Sequence, residues 1–228
     1  MAGGSDVIVV GAGIVGSSVA HFLADAGVAT TLVDRSHPAG GPTGRSSAIL
    51  HAFYLMPELS RLAIRGTEIL KALPEIAGEG PFVSDVGMMW VCGDEAAPGW
   101  SAAAARIRGE GAVIEELTPA AFAAAAPGFS TEGVALALWE PAFGYADAFG
   151  ATNAIARAAR AKGARLVQNR TVARLLADGG RITGIAFDDG EEVTAGTVVL
   201  AAGPWTRRLL ATVGLDLPLH VERHPMAV

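Results

Sequence analysis

Hydrophobic positions along the chain change their period several times, and each change predicts an element. Val7–Val10 is a short continuous apolar run of strand length. After the glycines that follow it, Val15, Val19, Phe22 and Leu23 recur at helical spacing, Ala20 is small, and Gly27 ends the run. Thr31–Val33 is a second apolar run that stops at Asp34. Strand, turn, helix, strand and acid make one βαβ unit. From Arg35 to Ala48, glycine, proline and serine dominate, which predicts a loop at the carboxyl end of the second strand, where open α/β sheets bind ligands. Leu59, Leu62, Ala63, Ile69 and Leu70 place a helix over about Pro57–Leu73, closed by Pro74.

The grain changes at Pro81. Val83, Val86 and Met88–Val91 read as strands, Trp100–Arg108 as a helix, Ala112–Glu115 as a short strand. Thr118-Pro119 supplies an N-cap and an N1 proline for another helix, and Gly133–Glu140 is a strand. Asp147–Lys162 returns to helix, capped by Gly163, and Ala164–Gln168 is a strand. Thr171–Ala177, Arg181–Phe187 and Glu191–Thr194 follow, separated by Asp-Gly turns, as a β-meander. Thr197–Ala201 is a further, apolar strand, and Ala202-Gly203-Pro204-Trp205 opens a helix. Leu217–Val228 reads as a linker entering a new strand. The pattern predicts an α/β fold: a first nucleotide-binding segment over 1–80, an α+β insert over 81–145, a second nucleotide-binding segment with the meander over 146–215, and the start of a second insert segment over 216–228.

Composition narrows the function class. The chain has 228 residues, 51% of them hydrophobic, and a formal charge of −6. It has no basic cluster, so nucleic acid is not an expected partner. Cys92 is the only cysteine and the five histidines show no ligand spacing, so neither a disulfide nor a metal site is expected. The N-terminus has no basic region followed by an apolar one, and no apolar run reaches membrane length, which predicts a cytoplasmic protein without membrane partners.

The chemistry concentrates at Gly11-Ala12-Gly13-Ile14-Val15-Gly16. Gly11 permits a tight turn out of the strand, Gly13 lets the backbone approach a pyrophosphate, and Gly16 lets helix and strand pack. The helix then turns its free N–H groups and positive dipole end towards the phosphates. Asp34 is placed to accept from a ribose hydroxyl. This unit alone leaves FAD and NAD both open.

The order of elements, with GAGIVG and Asp34, the Gly40–Ser47 loop, Gly87, Gly144-Tyr145-Ala146-Asp147, Thr171-Val172 and Val198-Val199-Leu200-Ala201-Ala202-Gly203-Pro204-Trp205, resembles the D-amino-acid oxidase-like FAD-dependent oxidoreductases, which include glycine, sarcosine and dimethylglycine oxidases and dehydrogenases. The resemblance implies a Rossmann-like FAD-binding domain with an inserted α+β substrate domain. It also implies an incomplete chain, because family members run on by roughly a further domain. Gly11, Gly13, Ile14 and Val15 would line the pyrophosphate, and Gly16 would belong to the same cofactor-binding turn. Asp34 and Arg35 would meet the adenosine ribose. Arg45, Ser46 and Ser47 would run towards the isoalloxazine. Val172 would hold the adenine by its backbone, and Ala201, Ala202 and Gly203 would pass the adenosine side. Arg45 stands where some members carry a flavin-linking histidine, so FAD is expected to be non-covalent.

The implied reaction oxidises the C–N bond of a small amino acid or a secondary or tertiary amine by hydride transfer to flavin N5. Oxygen or an electron-carrier protein would be the acceptor. Arg45, Arg61, Arg65 and Arg223 are candidates for a substrate carboxylate, and His51 for a base or a charge facing the flavin. Tyr54 and Tyr145 offer hydroxyls. Met88, Met89, Trp90, Cys92 and Trp205 read as packing residues, and Asp188 and Asp189 as turn acids. Three rivals remain. Aromatic hydroxylases share the first unit, but their Asp-Gly motif does not lie in meander turns. NAD-dependent dehydrogenases continue without a long meander. A remnant or subunit would bind FAD and catalyse nothing alone.

Overall fold

The computed structural model describes residues 5–222. Its elements, in chain order, are β1 (Ser5–Val10), α1 (Ile14–Asp25), β2 (Thr30–Val33), β3 (Ile49–Leu50), α2 (Pro57–Ala77), β4 (Val83–Ser84), β5 (Met88–Cys92), α3 (Ala97–Gly109), β6 (Glu115–Leu117), α4 (Pro119–Ala125), β7 (Leu136–Glu140), β8 (Gly144–Ala146), α5 (Ala148–Ala161), β9 (Arg165–Val167), β10 (Val172–Asp178), β11 (Arg181–Phe187), β12 (Glu192–Leu200) and α6 (Thr206–Ala211). Short 3-10 turns cover Pro42–Arg45 and Gly203–Trp205. Arg223 and the end of the strand expected over 217–228 lie outside the described residues; residues 215–222 carry no helix or strand.

The chain divides into two compact units. The first comprises 1–47, 73–80 and 147–228; the second comprises 48–72 and 81–146. The first is built on a sheet of order β10-β11-β12-β1-β2-β9. β12, β1, β2 and β9 are parallel; β11 runs antiparallel to β12, and β10 antiparallel to β11. The nine-residue β12 joins the two systems. Its first part pairs with β11 (Gly184 opposite Thr194), and its second part pairs with β1 (Val10 opposite Leu200). The sequence pattern broke this element into two strands, at 191–194 and 197–201. It is continuous because β11 pairs with its first part and β1 with its second, and Gly196, where the break was read, lies between them close to the Asp6 carbonyl.

The βαβ reading placed part of the packed face of α1: Val19 and Leu23 are partly buried against the core, while Val15 and Phe22 are not. The face that is buried carries Gly16, Ser17, Ala20, His21 and Ala24, against the alanine-rich α5. Val15 and Phe22 are 65% and 48% exposed. Two helices lined with small residues approach closely, and Val15 and Phe22 are turned outward. Asp147 caps α5, accepting from Gly150 N at 2.8 Å, and Gly163 ends that helical run with φ +100°.

The second unit contains the antiparallel sheet β5-β7-β6 and the small sheet β3-β8-β4. Its core gathers Phe53, Ala104, Ile107, Ile114, Leu138 and Phe143. Thr118 caps α4 as expected, accepting from Ala121 N at 3.2 Å. The strand expected at 112–115 lies instead at 115–117, after a turn at Gly111, and Val86 is an exposed loop residue rather than part of a strand. Pro74 does not close α2. The helix runs one turn further and stops at Gly78, whose N–H donates to the Pro74 carbonyl at 2.9 Å. A proline near a helix end forfeits one backbone bond without forcing a stop.

Candidate active site

The end of β1 turns at Gly11, with φ +105°, where a Cβ would overlap the Ala201 carbonyl oxygen. A Cβ on Gly16 would overlap the Gly11 carbonyl oxygen, and one on Gly13 would lie 3.0 Å from the Thr43 hydroxyl. The turn is therefore a cradle that only glycine fits at Gly11 and Gly16 and that is tight at Gly13. α1 begins directly after it with no side-chain cap and no acid in its first turn. Its N-terminal N–H groups and dipole form an anion site. The Ile14 N–H donates to Thr43 Oγ1 at 3.2 Å.

Asp34 ties this turn to the end of β2. One carboxylate oxygen accepts from Ala12 N at 2.7 Å; the other accepts from Ser36 N at 2.8 Å and Ser36 Oγ at 3.4 Å. A carboxylate offers about four acceptor positions, so one remains for a ribose hydroxyl.

These groups line a cavity of about 460 Å³. Of the expected cofactor residues, Gly11, Gly13, Ile14, Val15, Asp34, Arg35, Val172, Ala201, Ala202 and Gly203 face it. Gly16, Arg45, Ser46 and Ser47 do not. Gly16 is buried behind the turn, and the other three are exposed on the segment that closes the 3-10 turn. The sequence reading missed Thr43, Arg170, Arg208 and Trp205, which also line the cavity. Trp205 is not core: it is 37% exposed, and the Arg35 guanidinium lies 3.8 Å from its ring centroid. An aromatic following a Gly-Pro turn at a strand's carboxyl end was the available signal.

A cradle without Cβ atoms, a helix N-terminus and an acid at the end of β2 fit a dinucleotide. The model of the family described as FAD dependent oxidoreductase matches residues 6–228. The chain belongs to this family. FAD is the family's cofactor, and the cavity fits its pyrophosphate and ribose groups.

Relatives and structures agree with the family. The chain is 30% identical to "4-methylaminobutanoate oxidase (formaldehyde-forming)" of Paenarthrobacter nicotinovorans, covering 95% of this chain and 26% of that protein. It is 30% identical to a glycine oxidase of Pseudomonas aeruginosa, covering 93% and 59%. The crystal structure of L-proline dehydrogenase from P. horikoshii superposes with a TM-score of 0.85 at 26% identity, covering 94% of this chain and 57% of that one. The chain thus spans little more than half the length of the glycine oxidase and the proline dehydrogenase, and about a quarter of the 4-methylaminobutanoate oxidase.

The substrate-side candidates fall in the second unit. His51 stacks on Tyr54 with ring centroids 4.3 Å apart and meets Trp90 edge-on at 4.8 Å. Its Nδ1 is buried without a partner. Burial pushes the imidazole below its ordinary pKa, and a hydrogen bond with the Phe53 backbone opposes this. Arg61 is paired with Glu58 and Glu110, both at 3.5 Å, and Arg65 with Glu68 at 2.9 Å. Tyr145 is half exposed. Cys92 is half-buried, and burial pushes its thiol up.

The sequence reading passed over Glu140, which is fully buried. Its carboxylate accepts from Trp90 Nε1 at 2.7 Å and Ala52 N at 2.8 Å, and from the Phe53 backbone. Burial raises its pKa, and these three donors act against the rise. In the same segment, Arg106 donates to Tyr54 O at 2.8 Å. Residues 51–54 are thus fixed by ionisable groups from β7 and α3. Among the described residues no cluster of His, Cys, Asp and Glu could hold a metal, and no helix is long and apolar enough to cross a membrane.

Proposed function

We propose that the protein oxidises the C–N bond of a small amino acid or a secondary or tertiary amine, with FAD held non-covalently. The observation that carries this is the glycine cradle and cavity of a chain that belongs to the FAD-dependent oxidoreductase family. In this reading the first unit is the cofactor domain and the second the substrate domain. The N–H groups at the start of α1 hold the pyrophosphate, Asp34 gives its remaining acceptor position to the ribose, and the Val172 backbone meets the adenine. Arg45, Ser46 and Ser47 remain candidates for the isoalloxazine side. The relatives named for 4-methylaminobutanoate, glycine and proline support a small amine or amino-acid substrate.

When bound, the flavin supplies at N5 the acceptor for a hydride from the carbon beside the amine nitrogen, and the imine left behind hydrolyses. The substrate ammonium must first lose a proton. His51 is the candidate for its acceptor, or for a charge facing the flavin. Oxygen or a carrier protein takes the electrons onward. The test is an anaerobic screen in which sarcosine, glycine, proline and 4-methylaminobutanoate are added to the FAD-loaded protein. Loss of the yellow colour with one of them supports the assignment; no bleaching with any small amine or amino acid contradicts it. A second reading is FAD binding without independent catalysis, supported by the share of its relatives' length that the chain spans. It predicts retained FAD and no bleaching.

A further inference from the structure

Glu140 ends β7 on a face that the strand otherwise fills with Leu136 and Leu138. Leu138 stands opposite Trp90 of β5, so Glu140, two residues on, is the diagonal neighbour of Trp90 on the same face. The indole Nε1 donates to one carboxylate oxygen at 2.7 Å. Ala52 N donates to the other at 2.8 Å, and the Phe53 backbone is a further partner. A carboxylate accepts at both oxygens, so it serves these donors together, whereas an amide would turn an N–H towards one of them. Burying an ionisable group is costly, and a third leucine at this position would avoid the cost. What the carboxylate holds is therefore the informative part.

Every group it holds adjoins His51. Ala52 and Phe53 follow His51 in the chain, the Phe53 backbone also bonds the imidazole, and the Trp90 indole meets it edge-on with centroids 4.8 Å apart. Tyr54 stacks on the same ring at 4.3 Å. The ionisable groups on this segment are Tyr54 itself, Glu140 from β7, and Arg106 from α3 with its partner Glu110. We propose that Glu140 is a positioning residue for His51: by holding Trp90 and the Ala52–Phe53 backbone, it keeps the imidazole in its stacked, half-buried place. The proposal rests on the reading of His51 as proton acceptor or as a charge facing the flavin, and adds to it the group that orients the ring. Positioning and direct action by charge have opposite signs. Burial is the larger influence on His51 and holds its titration below the ordinary 6.5. Losing a positioning group lets water reach the ring, and the titration rises. Losing a nearby negative charge destabilises the imidazolium, and the titration falls.

The test follows the five histidines of the full chain by NMR with ring-labelled histidine, and His51 is assigned by the signal that His51→Gln removes. In Glu140→Gln the His51 titration is expected to rise towards 6.5, while that of His21, on α1 in the first unit, stays where it is. Phe122→Leu is the control: Phe122 is buried on α4, outside the cluster that contains Phe53, so its loss lowers stability and leaves both titrations in place. Where Glu140→Gln does not fold, Trp90→Phe takes its place, because it keeps a ring beside His51 and removes one donor; the His51 titration is again expected to rise. A His51 titration that falls, that stays at the wild-type value, or that rises as far in Phe122→Leu overturns the positioning role. In the FAD-loaded protein, the acid limb of the bleaching rate against pH is expected to move up with His51. A rise in the His51 titration without that movement, or without bleaching by any small amine or amino acid, leaves the positioning standing and overturns the role given to His51.

Discussion

Removing the Glu140 carboxylate should be among the most damaging single changes in the second unit. The side chain is fully buried, and Trp90 Nε1, Ala52 N and the Phe53 backbone all donate to it. Glu140→Ala strands these donors in a packed core. An unsatisfied buried polar group costs about 1–3 kcal/mol, and relief of the buried carboxylate's own desolvation offsets part of that. The expected net loss is about 3 kcal/mol, a drop of roughly 6–12 °C in melting temperature for a chain of this size. Glu140→Gln keeps the shape and one acceptor but turns an amide N–H towards a donor, so its loss should be roughly half as large. The sign with pH is also fixed. The folded-state pKa lies above the ordinary 4.5, so this group's contribution is fully present below that value and is lost as pH rises through the folded pKa. The margin of wild type over Glu140→Gln therefore widens as pH falls from neutral towards 4.5. Urea unfolding followed by tryptophan emission, at several pH values, measures all three proteins. Glu140→Ala melting within about 1 °C of wild type, or a margin that narrows on acidification, would refute the reasoning.

Other consequences are as direct. Gly16→Ala should push the turn off the Gly11 carbonyl and weaken FAD binding by tenfold or more, whereas Gly27→Ala, with φ +78° but open space around it, should cost about 1 kcal/mol of stability and leave FAD binding alone; equilibrium dialysis and thermal melts separate the two. His21 is buried between α1 and its neighbours with Nδ1 unpartnered, and burial lowers its pKa while Asp25 opposes and Lys162 assists. Its stabilising contribution is present above pH 6.5 and is lost as pH falls through the lowered value, so His21→Leu should flatten the acid limb of a stability–pH curve. Pro74→Ala should stabilise the last turn of α2 by about 1–3 kcal/mol, read as a higher urea midpoint.

The sequence made the cofactor side legible because its features are local. A left-handed turn at Gly11, a cradle at Gly13 and an acid after β2 are each set by one residue type at one spacing. Element types along the meander and the caps of α4 and α5 were readable for the same reason. What escaped depends on tertiary partners. α1 buries Ser17 and His21 and exposes Phe22 because α5 presents alanines to it, which helical periodicity within α1 does not encode. β12 is continuous because β11 and β1 claim its two ends. Glu140 read as the polar end of a strand, and its role became visible only with Ala52 and Trp90 folded onto it. Trp205 read as core because aromatic residues usually are, yet Arg35 supplies the partner that lets it stay at the cavity wall.

The central claim is that the cavity between the glycine turn, Asp34 and Val172 holds FAD without a covalent bond. The most direct measurement is the visible spectrum of the purified chain after incubation with FAD and desalting, followed by acid precipitation. The account predicts two flavin absorption bands that survive desalting and pass wholly into the acid supernatant. A colourless protein after desalting, or flavin that stays with the precipitate, would contradict it.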